Sequence, residues 1–395
     1  MLMVRSQLLV SACAAVALSG CGEEILPRSE VELGRALFED VRLSVNEAQS
    51  CATCHDPSRG FVDARAGAEG RVAATSLGAD GMSRGRRNAP TVTYATLVPA
   101  FTFGSRARFN KQSRNRLYEG PLGGLFHDGR ADDLEAQAGG PPLNPAEMGM
   151  PSKAAVVERL RTHPDYLRDF EALYGTGVLD DAEAGYDAMT RALAAFERSP
   201  EVSPFDSKYD RFLRGEAELS FPELTGRSLF FSEFANCAIC HQLRGNGDPI
   251  GRFEETFSGY EFHNLGVPRN EELGPAVDEG LGGALGVSEH RGRFRTPTLR
   301  NVAVTGPYMH NGVFRELRTV LEFYDRSNNP ERVLNPETGQ PWADAEVPET
   351  VAMELLEVGR PLTDPQLDAL ECFLRTLTDA RFESLLPPED GRCVD

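Results

Sequence analysis

Positive charge, histidine and tryptophan are all scarce in this sequence. Lysine and arginine number 41 against 60 aspartates and glutamates, a net charge of -19. A surface so acidic repels phosphate backbones, which excludes nucleic acid as a partner. The apolar run from Leu8 to Leu18 is too short to cross a bilayer. The one tryptophan, Trp342, lies in a Pro-rich loop. With seven histidines and eight cysteines, Cys-x-x-Cys-His is expected by chance only about 0.003 times.

The motif occurs twice, at Cys51-Ala-Thr-Cys54-His55 and at Cys237-Ala-Ile-Cys240-His241. This spacing attaches a c-type haem: two thiols add across the porphyrin vinyl groups, and the next histidine becomes an axial iron ligand. A zinc or redox Cys-x-x-Cys with an idle histidine is the weaker alternative. Two covalent haems are therefore expected, and what each does depends on the residue facing its other side. A strong second ligand makes an electron-transfer haem, whereas an open face lets peroxide or oxygen bind.

Arg5 precedes the apolar run, and Leu18-Ser-Gly-Cys21 follows it. A basic flank, a short apolar run and small residues before a cut form an export signal, here residues 1–20. The last four residues look like a bacterial lipobox, with Cys21 lipidated as the mature N-terminus. Gly22 after it favours the outer membrane, and the expected address is the periplasmic side. An ordinary signal with a coincidental cysteine is the alternative. Covalent haem attachment also belongs outside the cytoplasm. Cys13 leaves with the signal, Cys21 takes lipid and four cysteines hold haem, so Cys372 and Cys393 remain. In an oxidising compartment this pair is expected to bridge; two free thiols is the alternative.

The fold expected is mainly α, with two cytochrome c-like haem domains, 21–200 and 201–395, and long wrapping loops. Glu32-Leu-Gly-Arg-Ala-Leu-Phe38 precedes the first haem motif and Glu223-Leu-Thr-Gly-Arg-Ser-Leu-Phe230 the second, which reads as an internal repeat. Ser152 caps a helix through Val156, Val157, Leu160, Tyr166, Leu167 and Phe170 to Gly175, with Pro164 a kink or break. Residues 183–198 read as another helix before Ser199-Pro200, the start of a linker. Thr363-x-x-Gln366 is a capping box ahead of Leu367, Leu370, Leu374 and Leu377. Segments 56–125 and 242–300 read as loops with little β alternation. From Arg84 to Arg116 there are eight basic residues and no acid: Arg84, Arg86, Arg87, Arg106, Arg108, Lys111, Arg114 and Arg116. They predict either a solvated face or pairing with haem propionates or an acidic partner.

The segment from Phe126-His-Asp-Gly-Arg to Asn144-Pro-Ala-Glu-Met148 resembles the bacterial di-haem cytochrome c peroxidase and MauG family, as does Phe294-Arg-Thr-Pro-Thr-Leu-Arg-Asn-Val302 continuing to Pro307-Tyr-Met-His310. The resemblance covers almost the whole mature chain. It implies that the N-terminal haem is the peroxide site, with Gln137 and Glu147 on its open side beside Phe126. Moving a proton between peroxide oxygens needs a carboxylate, and an amide can orient peroxide without competing for iron. Peroxidases of this family that need reductive activation carry a distal histidine. None occurs here between His55 and His127, so the first haem is expected to be open, with Met82 the only competing ligand in the relevant loop.

Fourteen residues beyond His310 the resemblance implies Tyr324 as second ligand of the second haem, where the peroxidases place a methionine and MauG-like members a tyrosine. Met309 reads as core. His127 stands where the family has an inter-haem tryptophan, and a structural role bonding a propionate or water is expected. Asn88, Thr305 and Pro307 match positions that hold a calcium ion in relatives. His263 and His290 have no assigned role. The expected function is a di-haem c-type peroxidase reducing hydrogen peroxide, fed by a small electron-donor cytochrome or other redox protein. The alternatives are a MauG-like oxidase modifying a partner protein and a non-catalytic di-haem electron carrier.

Overall fold

The computed structural model describes residues 26–67, 70–108, 117–243, 254–388 and 391–395. The export segment, Cys21, Lys111, Arg114 and Arg116 lie outside these described residues. Twelve helices run through them: α1 Glu30–Phe38, α2 Cys51–Cys54, α3 Leu134–Ala138, α4 Lys153–Arg161, α5 Pro164–Tyr174, α6 Ala182–Glu197, α7 Lys208–Leu213, α8 Phe221–Phe230, α9 Gly280–Leu285, α10 Leu317–Asp325, α11 Met353–Leu356 and α12 Asp364–Arg375. None among the described residues is long and apolar enough to cross a membrane.

Helices α1 and α8 start alike. The hydroxyls of Ser29 and Ser220 accept from the amides of Glu32 and Glu223, whose carboxylates accept from the serine amides at 2.8 Å. Each then crosses a long partner through a glycine. A Cβ on Gly34 would lie 1.9 Å from the carbonyl oxygen of Ala192 in α6, and one on Gly226 would lie 1.7 Å from that of Ala369 in α12. Four residues on, Phe38 meets Phe196 at 5.2 Å between ring centroids, and Phe230 meets Phe373 at 5.3 Å. Only glycine permits so close an approach of two backbones. The two crossings anchor two apolar clusters, one around Leu33, Leu37, Leu160 and Phe170, the other around Tyr209, Phe257, Leu367 and Leu370.

The expected helix from Ser152 to Gly175 forms as two, broken at Thr162-His163-Pro164, with Ser152 capping the first. Helix α6 and the Thr363 capping box stand as read. Cys372 and Cys393 are bridged, tying the C-terminal tail to α12.

Segment 56–125 is not all loop. Strands β1 Thr102–Ala107 and β2 Leu117–Leu122 pair antiparallel, from Thr102 opposite Leu122 to Ala107 opposite Leu117. Strand β1 is largely exposed and β2 buries only Tyr118 and Pro121, three positions apart, so neither strand carries the two-residue alternation that would have marked it. A shorter pair, β3 Phe262–His263 with β4 Phe294–Arg295, lies within 242–300.

Buried polar bonds join early and late chain. Tyr94 donates to Asp379 at 2.5 Å, Asn301 donates to the same carboxylate at 2.8 Å, and Arg108 pairs with Glu261 at 2.6 Å. Phe382, far along the chain, packs in the first apolar cluster.

Candidate functional site

Helix α2 is one turn, steadied by the Ser50 amide donating to the Thr53 hydroxyl at 2.9 Å. The amide of His55 donates to the Cys51 carbonyl at 2.8 Å, which sets the imidazole directly after the thiols. Its Nδ1 lies 3.2 Å from the carbonyl oxygen of Phe61. A carbonyl only accepts, so Nδ1 carries the hydrogen and Nε2 keeps its lone pair. The second motif repeats this: His241 Nδ1 lies 2.9 Å from the carbonyl of Phe257. Both phenylalanines are fully buried in the left-handed region, φ +56° and +54°, which turns their carbonyls inward. Burial lowers the pKa of both imidazoles, that of His241 to about 4, so each is neutral.

Both motifs line one continuous cavity of about 810 Å³. Four thiols and two neutral imidazoles, each with one nitrogen fixed and the other open, are the donor set that c-type haem requires. The residues present fit two such groups. Cys240 also lies within 4.8 Å of Glu261 and His263. The haem motif claims that thiol, and His263 Nε2 already meets the Glu261 carboxylate at 3.0 Å, so these three are not a separate metal site.

Phe126, Gln137 and Glu147 line the same cavity as Cys51, Cys54 and His55. Asp133 caps α3 by accepting from the Ala136 amide at 2.8 Å, and Gln137 sits in that helix's last turn. At Asn144-Pro145 the chain turns: the Asn144 side chain accepts from the Ala146 amide at 3.0 Å and donates to Glu147 Oε1 at 2.8 Å. Burial raises the Glu147 pKa, and the Asn144 bond opposes it only in part. The result is a positioned carboxyl that holds its proton more tightly than usual. Met82 is not a competing ligand. It is 81% exposed, on a surface turn where Asp80 accepts from its amide at 2.9 Å.

Tyr324, in the last turn of α10, lines the cavity on the side of Cys237 and Cys240, and burial raises its pKa. Met309 packs against Phe314 and Phe323 while also lining the cavity. His310 stacks on Phe294 at 3.7 Å between ring centroids.

The His127 Nε2 meets the carbonyl oxygen of Asn88 at 3.0 Å, a structural bond within the chain. Burial first, then the nearby Arg87 charge, pushes its pKa to about 3, so it is neutral. Asn88, Thr305 and Pro307 all line the cavity. The Asn88 side-chain amide nitrogen donates to the Ala74 carbonyl at 3.1 Å, and its Oδ1 is an oxygen of the kind that could hold a hard cation. Among the described residues of the basic run, Arg84 and Arg86 are exposed, whereas Arg87, Arg106 and Arg108 are held within the chain. Arg87 pairs with Asp128 at 2.6 Å and Asp278 at 2.7 Å, Arg106 donates to the Gly259 carbonyl at 2.8 Å, and Arg108 pairs with Glu261. The acid these arginines find lies largely in the later part of their own chain.

The sequence reading missed two groups. The carbonyls of Phe61 and Phe257 are backbone atoms, which no residue type announces. Glu197, at the end of α6, is buried and lines the cavity, and burial pushes its pKa to about 8. Its setting in Phe196-Glu-Arg-Ser looks like an ordinary helix end.

Comparison with known proteins agrees with this geometry. Residues 28–218 match the family described as di-haem cytochrome c peroxidase. The methylamine utilization protein MauG of Paracoccus denitrificans is 47% identical over 405 residues, 99% of each chain. The cytochrome c peroxidase Ccp of Escherichia coli is 34% identical over 286 residues, 72% of this chain and 50% of that one. Among solved structures, the diheme peroxidase BthA of Burkholderia thailandensis superposes with a TM-score of 0.76 at 30% identity, covering 93% of this chain and 90% of the other.

Proposed function

The chain belongs to the di-haem cytochrome c peroxidase and MauG family, and from that premise we propose that it reduces hydrogen peroxide at the His55 site, with electrons supplied through the His241 site. Bound in this cavity, two c-type haems supply redox-active iron and a path for electrons. Cys51, Cys54, Cys237 and Cys240 tether them, and His55 and His241 present Nε2 while Phe61 and Phe257 hold the opposite ring nitrogens. Glu147 takes a proton from the near oxygen of peroxide and delivers it to the departing one. Gln137 orients the peroxide by hydrogen bonding, and Phe126 narrows the pocket. Tyr324 would offer its phenol oxygen as a second ligand at the His241 site, where phenolate ligation would favour ferric iron. The observation carrying this reading is that Gln137 and Glu147 share the cavity of His55 while Met82 stays at the surface.

The rest of the assignment goes with it. The matched glycine crossings and Phe-held imidazoles support two duplicated modules, 21–200 and 201–395. Asn88 Oδ1 and the backbone carbonyls of Thr305 and Pro307 would hold calcium. The sequence supports a lipid on Cys21 and a place on the periplasmic side, with a small cytochrome or other redox protein as donor. A second reading, a MauG-like oxidase that modifies residues of a partner protein, is favoured by the full-length similarity to a MauG. A non-catalytic carrier would have no use for a positioned Glu147 and Gln137.

Low-temperature EPR of the ferric protein tests the ligand assignment. One high-spin and one low-spin haem are expected, and Tyr324→Phe should alter only the low-spin signal. Two low-spin signals, or a Tyr324→Phe spectrum identical to the parent, would refute it.

A further inference from the structure

The one tryptophan is not remote from the second haem site. Its indole packs on Phe323 at 5.7 Å between ring centroids and on Phe314 at 5.8 Å, and the Phe323 ring lies 6.2 Å from that of Tyr324. Phe314 and Phe323 are buried, Tyr324 lines the cavity, and Trp342 is partly exposed. An unbroken series of aromatic rings thus runs from the cavity to the surface. A tight turn holds its outer end: Leu334 pairs with Pro341, and the Trp342 amide donates to the Val333 carbonyl. Val333 and Leu334 beside it are exposed apolar side chains.

We propose that Trp342 is the surface relay through which one-electron donors reduce the second haem site, by way of Phe323 and Tyr324. Indole is the most easily oxidised ring in the series. Phenylalanine rings are not oxidised; in contact, they shorten the gap that an electron must tunnel. The indole Nε1–H donates to the backbone carbonyl of Arg332 at 2.8 Å. A carbonyl is no base, so an oxidised Trp342 keeps its proton and the electron moves alone. The Arg326 guanidinium, 4.1 Å from the Phe323 ring and 5.7 Å from that of Trp342, disfavours lasting positive charge there. Oxidation of Trp342 is therefore brief, and the donor refills it. The balance is two electrons and two protons per hydrogen peroxide reduced to two waters, each electron leaving a donor and passing through Trp342 singly.

This rests on the peroxide reading above, and the test separates the two. The haem-loaded protein is mixed with hydrogen peroxide without a donor, its Soret band is followed, and Trp342 is then analysed by peptide mass spectrometry. In parallel, peroxide-dependent oxidation of a small basic ferrocytochrome c is measured for Trp342→Phe and Trp342→Tyr. The expected results are a Soret change, oxygen addition at Trp342, donor oxidation slowed about tenfold or more in Trp342→Phe, and recovery in Trp342→Tyr. Both variants fill the site with an aromatic ring, but only tyrosine is readily oxidised. A Soret change with Trp342 unmodified and donor oxidation at the parent rate in Trp342→Phe would overturn the relay while leaving the peroxide reading standing. Equal slowing in both variants would make Trp342 a packing residue and likewise overturn it. No Soret change in the parent protein would overturn both.

Discussion

Glu147→Gln will slow the reaction with hydrogen peroxide by roughly 10²–10⁴-fold, the usual worth of a positioned acid–base group. Glutamine keeps the shape and can still meet Asn144, so the haem spectra and the fold should be unchanged. What it loses is the capacity to take a proton and return it. Rapid mixing with peroxide reads the rate directly. The pH dependence has a defined sign. Glu147 must be deprotonated to accept the first proton, and burial raises its pKa above the ordinary carboxylate value of 4.5. The rate should therefore fall as pH drops through that raised value, and this limb should be missing in Glu147→Gln. Gln137→Ala should cost less, since water can replace an orienting hydrogen bond.

Asp210→Ala should destabilise the protein by about 3–5 kcal/mol, because it leaves a buried guanidinium unpaired. Arg300 is 1% exposed and meets Asp210 through two nitrogens, at 2.5 and 2.8 Å, with its Nε on the Glu255 carbonyl. Burial opposes the charge on Asp210, but Arg300 and the Ser207 hydrogen bonds outweigh it and hold its pKa below 3.8. A lowered carboxylate pKa contributes stability that is present above the unfolded value and lost as pH falls through the folded one. Urea midpoints for Asp210→Ala should therefore differ most from the parent near neutral pH and converge in acid. Replacing both partners by apolar residues of similar size should cost less than removing Asp210 alone.

Local chemistry made much of this fold legible. Each haem motif is contiguous, and capping boxes at Thr363 and ahead of the two glycine helices sit within four residues. Pro164 broke its helix because a ring replaces a hydrogen-bonding amide, a rule that needs no tertiary context. The Asn144-Pro145 turn is local too: the Asn144 side chain bonds both the Ala146 amide and Glu147. What stayed hidden was decided across long separations. Arg108 meets Glu261, 153 positions later, only once the chain is folded, so the sequence alone left open whether the basic run faces solvent or pairs with acid. The β1–β2 ribbon carries no alternation because little of it is buried. Trp342 meets Phe323 across 19 positions, and nothing in either residue announces ring contact.

Fully ferric protein mixed in a stopped-flow cell with one equivalent of hydrogen peroxide tests the central claim most directly. With no histidine between His55 and His127 and with Met82 on the surface, the proposed reading has no ligand to release from the first haem site before peroxide arrives. The Soret band should shift at once, without prior reduction. A ferric protein that stays unchanged and reacts only after receiving one electron would contradict the account.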